Sequence, residues 1–236
     1  TFDALAPYLP DHELVAIDLP GHGKSAHRSK DASYHFVDWV KDIARALDEL
    51  GWERCILLGH SMGAAVAGLA AGTFPERFAK FIAIEGLAPL TAEPFEAPTQ
   101  LAEHITSERA LLSKRPAVYR TIEEALAARL NSGDYNPSGG IRAVVERGLT
   151  AIDGGFVWSS DPRLRSRSAL RLSVEQAQAF LARVSCPVLL VRARQGLPYD
   201  PATWRHFLAA VPDLRVEEVD GHPHVHIDDA ERVASL

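Results

Sequence analysis

The sequence predicts an α/β fold: a doubly wound, mostly parallel sheet carrying an inserted helical cap. Three observations lead there. Short, fully apolar runs alternate with segments whose apolar residues recur at helical spacing, and fully apolar strands are those buried on both faces of a parallel sheet. One long stretch, residues 89–181, interrupts the alternation, and the strand pattern then resumes. The chain has 236 residues, 47% of them hydrophobic, enough for one sizeable core plus an inserted subdomain.

Residues 13–18 (ELVAID) read as a short strand that stops at Pro20-Gly21-His22-Gly23, a turn unable to continue a sheet. Residues 36–50 place Phe36, Val37, Val40, Ile43, Ala44 and Leu47 on one helical face, and Gly51 ends the run. Residues 55–58 form the next strand, followed by a small-residue helix over 62–73 and a strand over 80–84. From 89 to 181 only helical patterns stand out, at 101–112, 122–130 and 141–149, with a loop over 131–140. A strand at 188–191 then leads to a helix near Pro201 with Asp200 as N-cap. Residues 214–219 form the last strand, and a final helix starts near Asp228. This divides the chain into a core of residues 1–88 and 182–236 and a cap of residues 89–181. A helical insertion after a strand lies over the strand ends, where such sheets bind ligands.

The most informative segment is Leu57-Leu58-Gly59-His60-Ser61-Met62-Gly63-Ala64-Ala65. An apolar run enters a Gly-x-Ser-x-Gly pentapeptide and a small-residue helix leaves it, the sequence form of a nucleophile elbow. Gly59 and Gly63 lack β-carbons that would clash where strand and helix crowd. Ser61 sits at the tip. The N–H of Met62, opening the helix, can face a developing oxyanion.

With Asp18-Leu-Pro-Gly-His-Gly-Lys-Ser25 and the late Gly221-His-Pro-His-Val-His226, this segment resembles the α/β-hydrolase superfamily, closest to its serine hydrolase-like group, over essentially the whole chain. The resemblance implies a serine nucleophile, a histidine base, an acid and an oxyanion hole of two backbone N–H groups. Ser61 as nucleophile argues against haloalkane dehalogenase or epoxide hydrolase chemistry, for which an aspartate would stand at the elbow. Residues 1–9 match the helix after the oxyanion loop, so the first strands and the second oxyanion donor are expected before residue 1. Such a gap would expose a sheet edge.

The acid has two candidates. The residues after the strand at 188–191 are Arg192-Ala193-Arg194-Gln195-Gly196, with no carboxylate until Asp200, whose place before a helix suits capping. Glu85 ends the strand after the nucleophile helix, at the carboxyl edge of the sheet, and some members of the superfamily carry their acid there. The resemblance places the family's histidine at Pro223, so the base is His222 or His224, the two flanking it, while His226 is expected to pack beside the last helix. His60 and Trp158 are candidate substrate contacts, although packing is the first reading of His60 and cap structure that of Trp158. Asp18 and His22 line either the pocket or merely a turn.

The remaining features exclude function classes. Formal charge is −6 with no long run of either sign, so neither nucleic acid nor a membrane surface is an expected partner. Arg163, Arg165, Arg167 and Arg171 are read as a solvated face. No apolar stretch approaches the ~20 residues that span a bilayer, and no signal peptide is evident. Cys55 and Cys186 read as small core residues of a reducing, cytoplasmic compartment, and no spacing suggests zinc. The expectation is a cofactor-free, metal-free enzyme cleaving a small ester-like substrate through an acyl-enzyme. Alternatives are a carbon–carbon bond hydrolase or acyl transferase on the same triad, or a non-catalytic binding module. The sequence carries no signal for oligomeric state.

Overall fold

A computed structural model describes residues 1–131 and 140–236; most of the loop expected over 131–140 lies outside the described residues. The chain divides into two compact units, one of Tyr34–Thr106 and Arg167–Asp220, the other of Thr1–Ser33, Ser107–Ser166 and Gly221–Leu236.

The first unit holds a four-stranded parallel sheet. Its strands are β1 (Cys55–His60), β2 (Phe78–Ile84), β5 (Val188–Ala193) and β6 (Leu214–Val219), in the spatial order β1-β2-β5-β6. Helices α1 (Phe36–Glu49), α2 (Met62–Thr73), α6 (Val174–Leu181) and α7 (Pro201–Ala210) accompany it. The boundary between the units falls within α3 (Ala97–Leu112). The sequence explains the layering. Helix α2 is built of alanine, glycine and a few larger apolar residues, and Ala64–Gly72 are all buried; a helix apolar all round belongs in an interior. By contrast α1 turns only Trp39, Val40, Ile43 and Leu47 inward; of the expected face Val40, Ile43 and Leu47 are buried, Trp39 joins them, and Val37 stands 48% exposed. Phe78, Phe81, Ile84, Leu190 and Val191 complete the sheet core at 1% exposure or less.

The second unit contains α4 (Ile122–Leu130), α5 (Gly140–Gly148) and a β-hairpin, followed at the chain end by α8 (Val225–Asp228) and α9 (Ala230–Ala234). The hairpin pairs β3 (Leu149–Ile152) antiparallel with β4 (Gly155–Trp158). Ala125, Ile141 and Val145 form a buried cluster, against which Ile122, Leu126, Leu149 and Trp158 pack. The buried Asp161–Arg163 ion pair, 2.8 Å apart, anchors the segment before the core strands. Arg163 donates to the carbonyls of Arg28, Ser29 and Ala32 at 2.6–2.8 Å.

Several expectations need correction. The stretch 89–181 is not purely helical, because residues 149–158 form a hairpin around Asp153-Gly154, a strong two-residue turn signal between β-branched and aromatic residues. Residues 13–18 form no strand; a strand exists only with a ladder partner, and here Leu14, Val15 and Ile17 are 44–49% exposed. Residues 1–9 hold only a 3₁₀ turn, Ala6–Tyr8. The last helix is two short ones, starting at Val225 rather than Asp228 and broken at Asp229, whose side chain caps α9 through the Arg232 N–H. Arg163 is 5% exposed and so leaves the supposed solvated arginine face. Among the described residues no helix is long and apolar enough to cross a membrane.

Candidate active site

Strand β1 runs in register with β2, His60 opposite Ile84, so the next residues along, Ser61 and Glu85, end neighbouring strands at the carboxyl edge of the sheet. Both have left-handed backbones, φ 51° at Ser61 and 52° at Glu85, the only non-glycine residues among those described to do so. Such a conformation costs about 1–3 kcal/mol per residue and persists only where the surroundings enforce it. Enforcement is visible. The Ser61 N–H donates to the Ile84 carbonyl at 2.8 Å, and the Ser61 carbonyl accepts from Ala65 N–H at 3.1 Å. A β-carbon on Gly59 would come within 2.6 Å of Ala64 Cα and the Gly63 carbonyl, so the turn admits no larger residue there. Gly63, expected to relieve a similar clash, has open space where its β-carbon would stand. The crowding on that side falls instead on Gly86, whose β-carbon would meet the Ser61 carbonyl at 2.6 Å.

Ser61 occupies the N-cap position of α2 without using its hydroxyl as a cap. Met62 opens the helix, and N–H groups of a first turn have no intrahelical acceptor. Together with the dipole of α2 this gives an electropositive corner beside the hydroxyl.

Glu85 is completely buried. Its carboxylate accepts from Ala193 N–H at 2.6 Å and from Leu197 N–H at 2.8 Å, one donor on each oxygen, and its backbone carbonyl accepts from the Tyr199 hydroxyl. Burial pushes its pKa above the usual carboxylate range, while the Leu197 and Ala193 N–H groups and the Arg192 charge pull it back. Each oxygen retains a lone pair for a further donor. Asp200, the other candidate acid, is exposed and caps α7 by accepting from Thr203 N–H at 2.7 Å; that bond holds its pKa down.

The three late histidines belong to the other unit. His222 and His224 are half-buried and follow Gly221, whose φ is 128°. Burial lowers the His224 pKa, with Asp228 opposing and Arg129 reinforcing the shift. His226 is fully buried, its ring 5.5 Å from Phe2 and 6.0 Å from His224. Trp158 lies edge-on to Tyr119 and donates to its hydroxyl at 3.4 Å. His60 closes β1, half-buried. Asp18 organises its turn: its carboxylate accepts from the Lys24 N–H and pairs with Arg147, each at 2.9 Å. Burial lowers the pKa of His22 in the same turn. Among the described residues no three His, Cys, Asp or Glu side chains gather as a metal site requires. Sequence reasoning missed Tyr199 and Leu197 as supports of Glu85, since nothing in a loop's composition marks which strand end it will wrap.

Residues 1–122 match the sequence profile of the alpha/beta hydrolase fold. The chain belongs to the alpha/beta hydrolase family. Over its whole length this hydrolase-family chain is 29% identical to a serine hydrolase-like protein of Danio rerio, covering 76% of that protein. It is also 29% identical to a probable serine hydrolase of Drosophila melanogaster, with 99% of this chain and 74% of the relative aligned. Among solved structures, a hypothetical protein of Pseudomonas aeruginosa PAO1 superposes with a TM-score of 0.89 at 42% identity, covering 99% of this chain and 82% of its own. A thioesterase domain from the curacin biosynthetic pathway does so at 0.81 and 27% identity, covering 99% and 84%.

Proposed function

We propose that this alpha/beta hydrolase cleaves a small ester-like substrate by acyl transfer to Ser61. The observation carrying the proposal is the strained Ser61 backbone at the start of α2. A left-handed serine held by Ile84 and crowded by Gly59 and Gly86 incurs a folding penalty that an ordinary turn serine avoids. The thioesterase domain, at 27% identity over 99% of this chain, supports the same bond class.

In the proposed reaction, His222 or His224 takes the Ser61 proton as the hydroxyl attacks the substrate carbonyl. The depressed pKa of His224 favours the neutral imidazole a base needs. Glu85 accepts from the imidazole N–H, fixes its tautomer and stabilises the cation that forms; its two backbone donors keep it rigid for that task. The Met62 N–H, aided by the helix dipole, takes up part of the oxyanion charge. The leaving alcohol departs with the proton from the histidine, water then attacks the acyl-enzyme with the same histidine as base, and the acid product leaves.

The test is labelling by a fluorophosphonate probe. Wild type should label rapidly, Ser61→Ala not at all, and whichever of His222→Ala and His224→Ala removes the base should slow labelling by about 10²-fold or more. A wild-type protein that stays unlabelled would show the serine to be unactivated and the pocket to serve binding alone.

A further inference from the structure

Beyond the carboxyl end of β5 lies a cavity of about 470 Å³, lined by Arg192, Arg194, Leu197, Tyr199, Trp204 and Arg205, with smaller residues between them. That volume falls within the ~300–1,000 Å³ of small-molecule sites. The charged side chains of its lining are all arginines. No carboxylate lines the cavity, but three stand nearby: Glu85 accepts from the Ala193 and Leu197 N–H groups and feels the Arg192 charge, Asp200 accepts from Thr203 N–H and feels that of Arg205, and Asp220 pairs with Arg194 at 3.2 Å on the open surface.

The aromatic wall orders this basic lining. Tyr199 and Trp204 stack with centroids 4.3 Å apart and planes 15° off parallel. The Arg192 guanidinium lies 5.1 Å from the Trp204 centroid and 5.7 Å from that of Tyr199. Stacking engages the flat face of a guanidinium and leaves its N–H edge to bind an acceptor. Among the described residues Arg192 Nε and the indole Nε1 of Trp204 are buried without an acceptor, and Trp204 is only 6% exposed. The wall therefore turns a set of guanidinium donors, those of Arg192, Arg194 and Arg205, on the cavity.

We propose that this cavity binds a small organic phosphate ester, its phosphoryl oxygens meeting Arg192 and Arg205. The planar guanidinium fork matches phosphate oxygens in pairs, which a carboxylate offers only on one edge. A bare anion would leave most of the volume unfilled, whereas a phosphomonoester fills it with its organic part against Leu197 and Pro198. The proposal is independent of turnover at Ser61.

Phenyl phosphate is the probe, titrated into the full chain and followed by calorimetry and tryptophan fluorescence. Saturable binding is expected, weakened at least tenfold by Arg205→Gln and by Arg192→Gln and unchanged by Arg115→Gln, an exposed arginine elsewhere. Arg205 is exposed on α7, so its variant keeps the test alive should Arg192→Gln unfold. Competition by inorganic phosphate supports recognition of the phosphoryl group; competition by phenol but not by phosphate overturns it. Absent saturation, or wild-type affinity retained in both arginine variants, also overturns it. Ser61→Ala should bind phenyl phosphate as wild type does, so loss of hydrolase activity and loss of this site are read separately.

Discussion

Glu85 shows how one residue can be held in place at a structural penalty. Its left-handed φ, its complete burial and its two backbone donors fix a carboxylate beside the elbow, against the desolvation that raises its pKa. Asp200 has neither burial nor strain and does a cap's work. The two substitutions should therefore separate. Glu85→Gln should lower kcat by about 10³–10⁴-fold, the scale seen when the carboxylate behind a catalytic imidazole is made neutral. Asp200→Ala should lower Tm and leave kcat within twofold. Full activity in Glu85→Gln would remove Glu85 from the reaction. His224 carries a second prediction. Burial holds its folded pKa below its ordinary 6.5, so between those two values the unfolded chain binds more protons and stability rises with pH. The contribution of this site is complete above about pH 6.5 and is lost as pH falls toward the folded pKa. His224→Gln should flatten the dependence of Tm on pH across about pH 7 to 5, as followed by circular dichroism.

At the scale of elements, legibility tracked whether local pattern and tertiary partner agreed. Helix α1 and strand β6 stand where spacing and apolar content placed them, and the Asp200 cap of α7 is made as its sequence suggests. The elbow was legible because its constraints are local, a serine two residues after a glycine that must stay a glycine. The hairpin was not, because helical spacing before it masked the Asp153-Gly154 turn. Residues 13–18 failed for the opposite reason: the strand pattern is present but the ladder partner is not among the described residues. Arg163 escaped because a buried arginine reads like an exposed one until its carbonyl acceptors are known. The hairpin yields its own prediction. Tyr119 exchanges backbone hydrogen bonds with Phe156 at 2.9 and 2.7 Å, and a β-carbon on Gly155, whose φ is 150°, would stand 2.2 Å from the Tyr119 carbonyl. Gly155→Ala must therefore break that bridge and should destabilise by about 1–3 kcal/mol. Urea unfolding measures it, and an unchanged midpoint would mean that the hairpin is not held to Tyr119.

For the molecule as a whole, the two edges of the four-stranded sheet are unequal. Strand β6 carries Arg215, Glu217 and Glu218 along its length, and Arg215 pairs with Glu217 at 2.8 Å; charges on an edge strand discourage pairing with another chain. Strand β1 at the opposite edge reads Cys-Ile-Leu-Leu-Gly-His, without a full charge, and Ile56 is 42% exposed. Among the described strands it pairs with β2 alone. Residues 14, 15 and 17 add exposed apolar side chains in the other unit. An uncharged apolar edge with unpaired N–H and C=O groups is a template for strand addition. The chain Thr1–Leu236 should therefore self-associate as its concentration rises, and Ile56→Lys should suppress this by placing a charge on that edge. Light scattering across a concentration series decides it. Identical association in Ile56→Lys and wild type would show that β1 is not the contact and would direct attention to the apolar segment at 13–18.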